Sequence, residues 1–190
     1  MRSLVAVAPA VVAASLALAG CGGAGSARPT PTGSSTGSTG APSATPVACP
    51  PTSGGGAGRA RVTDMTIGTA SGQDSLVVQF DAAVPHYELT QNPNGVHFTG
   101  GGGKGGTYTL AGSYGFLLNI DNLNWTTPPG DQYPHGTDLM QSAPVLEEAR
   151  QIGDFEGTDN IAIGLRSYVC PTIFTLDGPR RLVLQFLAGS

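Results

Sequence analysis

The chain has 190 residues, of which 39% are hydrophobic and only 12% are charged, with 13 acidic against nine basic side chains. The basic residues are scattered, and the longest basic run is Arg180-Arg181. This excludes the basic patch through which nucleic-acid binders neutralise phosphates, so we expect no nucleic-acid partner. Glycine and proline, at 29 and 15 residues, favour turns and loops over long helices.

The first twenty residues have the features of a secretory signal. Arg2 is positively charged, and residues 4–18 form an apolar stretch too short to span a bilayer comfortably. Leu18-Ala19-Gly20-Cys21 then resembles the lipobox of bacterial lipoproteins, in which the chain is cut before an acylated cysteine. We predict a signal peptide over residues 1–20 and a lipid anchor on Cys21. The alternative is an ordinary secretory signal with a chance cysteine.

Residues 21–58 are rich in Gly, Ser, Thr and Pro and contain no leucine, isoleucine or aromatic side chain. Such a segment buries too little apolar surface to offset the entropy cost of ordering. We therefore predict a disordered tether that connects the lipidated Cys21 to a folded domain over residues 59–190. The lipid would hold the protein on the extracytoplasmic face of the bacterial cell membrane.

The folded part has the pattern of an all-β protein. Short runs of β-branched and aromatic residues are separated by turn signals such as Asn94-Gly95 and Asp177-Gly178-Pro179. The candidate strands cover residues 61–67, 75–80, 86–90, 96–98, 107–110, 115–120, 161–166, 172–176 and 181–186. Many short strands separated by such turns predict one antiparallel β-sandwich or barrel.

A long irregular stretch, residues 122–135, is the best candidate for binding. It contains Trp125, which is the only tryptophan, together with Tyr133 and His135. Long loops in compact domains are often functional, and aromatic rings stack on sugars or anchor partners. We expect these three side chains to form a contact surface at one end of the sandwich. The alternative is that Trp125 is a core residue covered by the loop.

Residues 142–152 (SAPVLEEARQI) favour a helix by propensity, with a serine cap and a proline in the first turn. The residues alone leave helix and strand open.

Of the three cysteines, Cys49 and Cys170 remain after Cys21 is assigned to the lipid. Disulfides persist outside the cytoplasm, and the spacing fits neither a CxxC motif nor a metal site. We predict a structural disulfide that closes a loop of about 120 residues.

The domain resembles the AMIN-like domain of bacterial lipoproteins. The resemblance rests on Gly153-Asp154-Phe155-Glu156-Gly157 and on Gly178-Pro179-Arg180-Arg181-Leu182-Val183, with support from Asp74-Ser75-Leu76-Val77-Val78-Gln79-Phe80. It implies a β-sandwich that attaches to the cell envelope, a strand for residues 146–152, and no catalytic residues. The cysteine pair and residues 119–137 depart from the pattern.

The leading functional hypothesis is a non-catalytic envelope protein that binds peptidoglycan or another envelope protein and needs no cofactor. His86, His97 and His135 are far apart in sequence and no HExxH motif accompanies them, so we expect no metal site. Two alternatives remain, an extracytoplasmic small-ligand binder and an unrecognised wall-modifying enzyme.

Overall fold

The computed structural model describes residues 48–100, 105–124 and 134–188. Cys21, Trp125 and Tyr133 lie outside the described residues. The strands are β1 (Thr52–Gly54), β2 (Val62–Ala70), β3 (Gln73–Phe80), β4 (Tyr87–Asn92), β5 (His97–Thr99), β6 (Thr107–Thr109), β7 (Tyr114–Ile120), β8 (Asp138–Met140), β9 (Leu146–Phe155), β10 (Thr158–Leu165), β11 (Thr172–Asp177) and β12 (Arg180–Leu187). Across the described ranges, no helix is long and apolar enough to cross a bilayer.

Two antiparallel sheets pack face to face in the described part of the chain. The first has the strand order β1-β4-β7-β10-β9-β8, and the second has the order β11-β12-β3-β2. Their inner faces share one core, which includes Leu76 and Leu184 from the second sheet and Phe116 and Ile163 from the first. The predicted all-β antiparallel sandwich is therefore confirmed.

Strand β3 shows how a sequence pattern produces a strand, because its buried and partly buried side chains alternate strictly. On β3, Leu76 and Val78 are fully buried, whereas Val77 between them is only partly buried. Successive side chains of a strand point to opposite faces, so one face enters the core and the other lies outside.

Residues 146–152 are part of strand β9, as the family resemblance implied, and not of a helix. β9 pairs with β10 on one side and with β8 on the other. Leu146 and Ala149 are completely buried in the core. Tertiary burial and pairing on both edges thus override the local helix propensity.

A hairpin covers the outer face of the first sheet. β4 and β7 are neighbours in that sheet, and their connection folds back as the pair β5–β6. Side chains of the hairpin and the outer sheet face form a second apolar cluster, which comprises Val96, Phe98, Leu110, Ile152 and Ala162. The first sheet is therefore buried on both faces beneath this hairpin.

The predicted Cys49–Cys170 disulfide is present, with a Cα–Cα distance of 5.5 Å. Cys49 precedes β1 and Cys170 precedes β11, so the bond joins the outermost strands of the two sheets at one edge of the sandwich. The Cys49 N–H and the Tyr168 hydroxyl both donate to Gln91 Oε1, at 3.2 and 3.1 Å. The ordered fold thus includes Cys49 and β1, which precede the predicted domain boundary at residue 59.

A buried carboxylate links the two sheets near the opposite edge. Asp74 lies on the inner face of β3 and is 1% exposed. Its Oδ2 accepts the N–H groups of Val145 and Leu146 at 2.7 and 2.9 Å, and its Oδ1 accepts the Thr69 hydroxyl at 2.7 Å. These bonds satisfy the carboxylate in the core and hold the start of β9 against the second sheet.

Candidate functional site

The two described ends of the predicted binding loop are both attached to the beginning of β2. The Asn124 N–H donates to the Ala60 carbonyl at 2.8 Å, just before the undescribed residues 125–133 begin. Soon after they end, His135 contacts Asp64. The loop therefore starts and finishes beside residues 60–64, at one end of the sandwich.

His135 is the one predicted binding residue that the structure describes. Its Nδ1 lies 2.8 Å from Asp64 Oδ2 and 3.0 Å from Oδ1, and its side chain is 60% exposed. The carboxylate can accept a hydrogen bond from Nδ1–H, and in that tautomer of the neutral ring Nε2 is an acceptor. His135 is thus fixed through one nitrogen and presents the rest of its ring to solvent.

An open groove lies beside His135, along the edge where β2 meets β8. Its volume is about 360 Å³, and it is lined by Thr66, Ile67, His135, Asp138, Leu139, Met140 and Gln141. A second hollow of about 320 Å³ shares Met140 and Gln141 and extends to Arg166 and Glu147. Met140 stands between the two hollows with 71% of its surface exposed. Together they form an elongated surface groove, which we call the β8 groove.

Charges of both signs lie along the β8 groove. Arg150 Nη2 is 3.4 Å from Asp138 Oδ2, and the Arg166 guanidinium holds Glu147 Oε1 through Nε and Nη2 at 2.9 and 2.7 Å. Because these charges are largely paired, the groove is not a strong site for either anions or cations. Its exposed apolar atoms and hydrogen-bonding groups suit a neutral polar ligand better.

The three histidines do not come together. His86 contacts Asp121 at 3.1 Å, His97 contacts Thr109 at 3.1 Å, and His135 contacts Asp64. Among residues 48–100, 105–124 and 134–188, no group of three His, Cys, Asp or Glu side chains is arranged to hold a metal ion.

A smaller cavity lies beside the disulfide, between the edges of the two sheets. It has a volume of about 80 Å³ and is lined by Cys49, Pro50, Thr52, Leu89, Phe116, Cys170 and Pro171. Pockets that bind small molecules usually measure roughly 300–1,000 Å³. This cavity therefore gives no support to the hypothesis of a small-ligand carrier.

The comparison with known proteins identifies the domain. The AMIN-like domain family matches residues 60–188, about two thirds of the chain. The chain belongs to the AMIN-like family. Its AMIN-like domain extends from just before β2 to the end of β12, so β1 and Cys49 precede it. No curated protein matches the chain.

The sequence of this AMIN-like domain did not predict several residues in or next to the β8 groove. Asp64 belongs to the alternation of β2, and Met140 and Gln141 lie in or just after the three-residue strand β8. A strand this short has no recognisable period, and pairing across 71 residues, as between Asp64 and His135, leaves no local signal. The sequence offers one hint, the apolar pair Leu139-Met140 between the polar residues Asp138 and Gln141.

Proposed function

We propose that this protein is a non-catalytic envelope protein, anchored by lipid on Cys21, whose AMIN-like domain binds peptidoglycan or an envelope partner. Family membership carries this proposal, because AMIN-like domains are generally associated with peptidoglycan or envelope binding. The family is a binding type and not a catalytic one. Envelope binding also agrees with the extracytoplasmic location of such domains.

Within the domain, we place binding at the β8 groove and the loop that ends at His135. Both described ends of the loop are attached near the start of β2, which also contributes Thr66 and Ile67 to the groove. Trp125 and Tyr133, as residues of that loop, would add aromatic surface for stacking on sugar rings. Removal of residues 1–20 with Arg2 leaves eight basic and 13 acidic residues, a net charge of −5. Attraction to anionic wall polymers is therefore unfavourable, and stacking and hydrogen bonding must supply the affinity.

The test is a pull-down of the full chain on purified peptidoglycan. Truncating a central aromatic anchor typically costs more than about 2 kcal/mol of binding. We therefore expect Trp125→Ala to weaken binding more than roughly tenfold, and His135→Ala to weaken it less, without lowering the melting temperature. Thr107→Ala, on the exposed hairpin strand β6, serves as the matched control.

Two results would redirect this proposal. Unfolding of the domain by Trp125→Ala would mean that Trp125 is a core residue. If neither purified peptidoglycan nor an envelope fraction retains the wild-type protein, the proposed function is contradicted. The lipid anchor is checked separately by intact-mass analysis of membrane-purified protein, which should show loss of residues 1–20 and added acyl mass.

A further inference from the structure

Strand β11 is an exposed edge of the second sheet. In the part of the chain that the structure describes, it pairs with β12 on one side and with no strand on the other. Phe174 and Leu176 on its outer face are each 37% exposed. The strand contains neither lysine nor proline, the residues with which edge strands usually prevent unwanted pairing.

The other edges of the two described sheets are protected. β1 and β8 have only three residues each, and a very short edge strand offers little backbone for strand addition. β2 lies beside β8, where Gln141 Nε2 donates to the Thr69 hydroxyl at 3.1 Å. β11, with six residues, is therefore the long edge that remains open to strand addition.

The backbone groups that face this open edge follow from two hydrogen bonds elsewhere in the sheet. The Ala188 N–H, at the end of β12, donates to the Gly72 carbonyl, and the Asp81 N–H, at the end of β3, donates to the Arg61 carbonyl. Consecutive residues of a strand direct their N–H and C=O groups to opposite edges. The backbone N–H and C=O groups of even-numbered residues of β12 therefore point to β3. Those of odd-numbered residues point to β11.

The register between β11 and β12 then fixes the orientation of β11. Phe174 lies opposite Val183, and Leu176 lies opposite Arg181. The backbone groups of Phe174 and Leu176 therefore form their hydrogen bonds with β12. Ile173, Thr175 and Asp177 consequently direct their N–H and C=O groups to the open edge. Any added strand must pair with these three residues.

We propose that β11 pairs antiparallel with β11 of a second copy of this chain, in a two-fold dimer with Thr175 on the axis. In this register Ile173 of each copy bonds with Asp177 of the other, and Thr175 bonds with its own counterpart. The pairing makes about six backbone hydrogen bonds and uses every group on the open edge. A two-fold interface requires such a self-complementary surface.

The side chains agree with the same register. Phe174 of one copy lies opposite Leu176 of the other, and the reverse pair forms across the axis. These are non-hydrogen-bonded positions, where opposing side chains approach closest, and apolar cross-strand pairs there are stabilising.

Charge also selects this register over its alternatives. The two Asp177 carboxylates lie at opposite ends of the interface, about 14 Å apart along the strands. A shift that placed Asp177 opposite its counterpart would set like charges together and leave Ile173 unpaired. Because a single strand buries much less than the roughly 1,600 Å² of a standard interface, we expect a weak, concentration-dependent dimer.

Cross-linking through the axis tests the proposal. In a hydrogen-bonded pair the two Thr175 Cα atoms would be about 5.5 Å apart, within the range that a disulfide spans. In the full chain in detergent, we expect Thr175→Cys to form an intermolecular disulfide at least tenfold faster than Thr107→Cys, an exposed control on β6. Equal rates for the two variants would overturn the proposal.

A proline pair gives an independent test by sedimentation. The Thr175 N–H faces the open edge, so Thr175→Pro should leave the monomer folded and weaken the dimer at least tenfold. Phe174→Pro removes an N–H that bonds β12 and should instead lower the melting temperature. Thr175→Lys is a second variant for the same position. A wild-type protein that stays monomeric at the highest attainable concentration, or a dimer unaffected by both Thr175 variants, would contradict the inference.

Discussion

Glu148 is a carboxyl group on the outer face of the first sheet that is nevertheless buried. The chain that follows β6 crosses above it, and the Ala111 N–H donates to Glu148 Oε2 at 2.7 Å. Burial raises the pKa of Glu148 above its ordinary value of 4.5, and the neighbouring Asp138 raises it further, while the Ala111 N–H and Arg150 oppose the shift. The acid therefore holds its proton more tightly in the folded state than in the unfolded chain.

This shift has a defined consequence for stability. At pH values just above the pKa that Glu148 has in the unfolded chain, the folded state binds more protons than the unfolded state does. The free energy of unfolding therefore falls as the pH rises through this range. Glu148→Gln should remove this decrease and stabilise the protein at neutral pH relative to acid pH. Urea unfolding between about pH 4 and pH 7 measures the slope.

Asp81 provides a control of opposite sign. The Arg61 backbone N–H and guanidinium lower the pKa of Asp81, against an opposing effect of burial. Its stabilisation is present above the unfolded pKa and is lost as pH falls. Asp81→Asn should therefore reduce the loss of stability in acid, with a small amplitude because the pair is exposed. An unchanged pH slope in Glu148→Gln would contradict the role assigned to that acid.

Among the elements, the β5–β6 hairpin depends on two glycines beneath it. Gly115 on β7 and Gly164 on β10 lie opposite each other in the first sheet. A Cβ atom at Gly115 would lie 2.0 Å from the Gly95 carbonyl oxygen, and one at Gly164 would lie 2.1 Å from the Ala111 oxygen. The backbone that leads into and out of the hairpin thus crosses the sheet where side chains are absent.

We expect Gly115→Ala to destabilise the protein by roughly 1–3 kcal/mol, because the added methyl group forces the hairpin away from the sheet. Faster amide exchange should appear in β5 and β6 before the rest of the domain unfolds. Gly105→Ala, at a hairpin position with open space around it, is the matched control and should be close to neutral. Equal stability of the two variants would argue against close packing at this crossing.

The strands differ in how well their sequences predict them. β3 and β12 were predicted within two residues, because β3 alternates strictly and Leu182, Leu184 and Phe186 of β12 enter the core. β1 and β8 are three residues long and could not be recognised, since their pairing is decided by distant partners such as Leu89 and Ala149. No local sequence signal predicts that the β5–β6 hairpin covers the first sheet, because this packing depends on contacts between residues far apart in sequence.

For the whole molecule, the disulfide is the main covalent constraint. Cys49 and Cys170 are 121 residues apart, and closing a loop of this length lowers the entropy of the unfolded chain by an amount equivalent to about 4–5 kcal/mol. The Cys49→Ser/Cys170→Ser double variant should be less stable by up to about this amount, measured by urea unfolding. Reduction of the wild-type protein should reproduce the loss, and a stability unaffected by either treatment would contradict this assignment.

The disulfide was predictable because it follows from cysteine count and compartment, whereas the candidate binding site was predictable only in part. The sequence predicts His135 only as one member of an aromatic loop and gives no sign of Asp64 or of the groove. The composition of residues 122–135 marked the segment, but only the three-dimensional arrangement shows that its described ends meet the start of β2. The sequence likewise does not predict that β11 is an edge strand, since an edge strand and an inner strand can have the same sequence pattern.

The position of the disulfide also has a mechanical consequence. A pulling force applied through the chain N-terminal to Cys49 reaches both sheets at once, since the bond connects that point to the entrance of β11. Without it, the same force would act on β1 alone and could peel its three residue pairs from β4 one after another. The β8 groove lies at the opposite edge, so tension between the N-terminal chain and a ligand bound there would be distributed across the width of the sandwich.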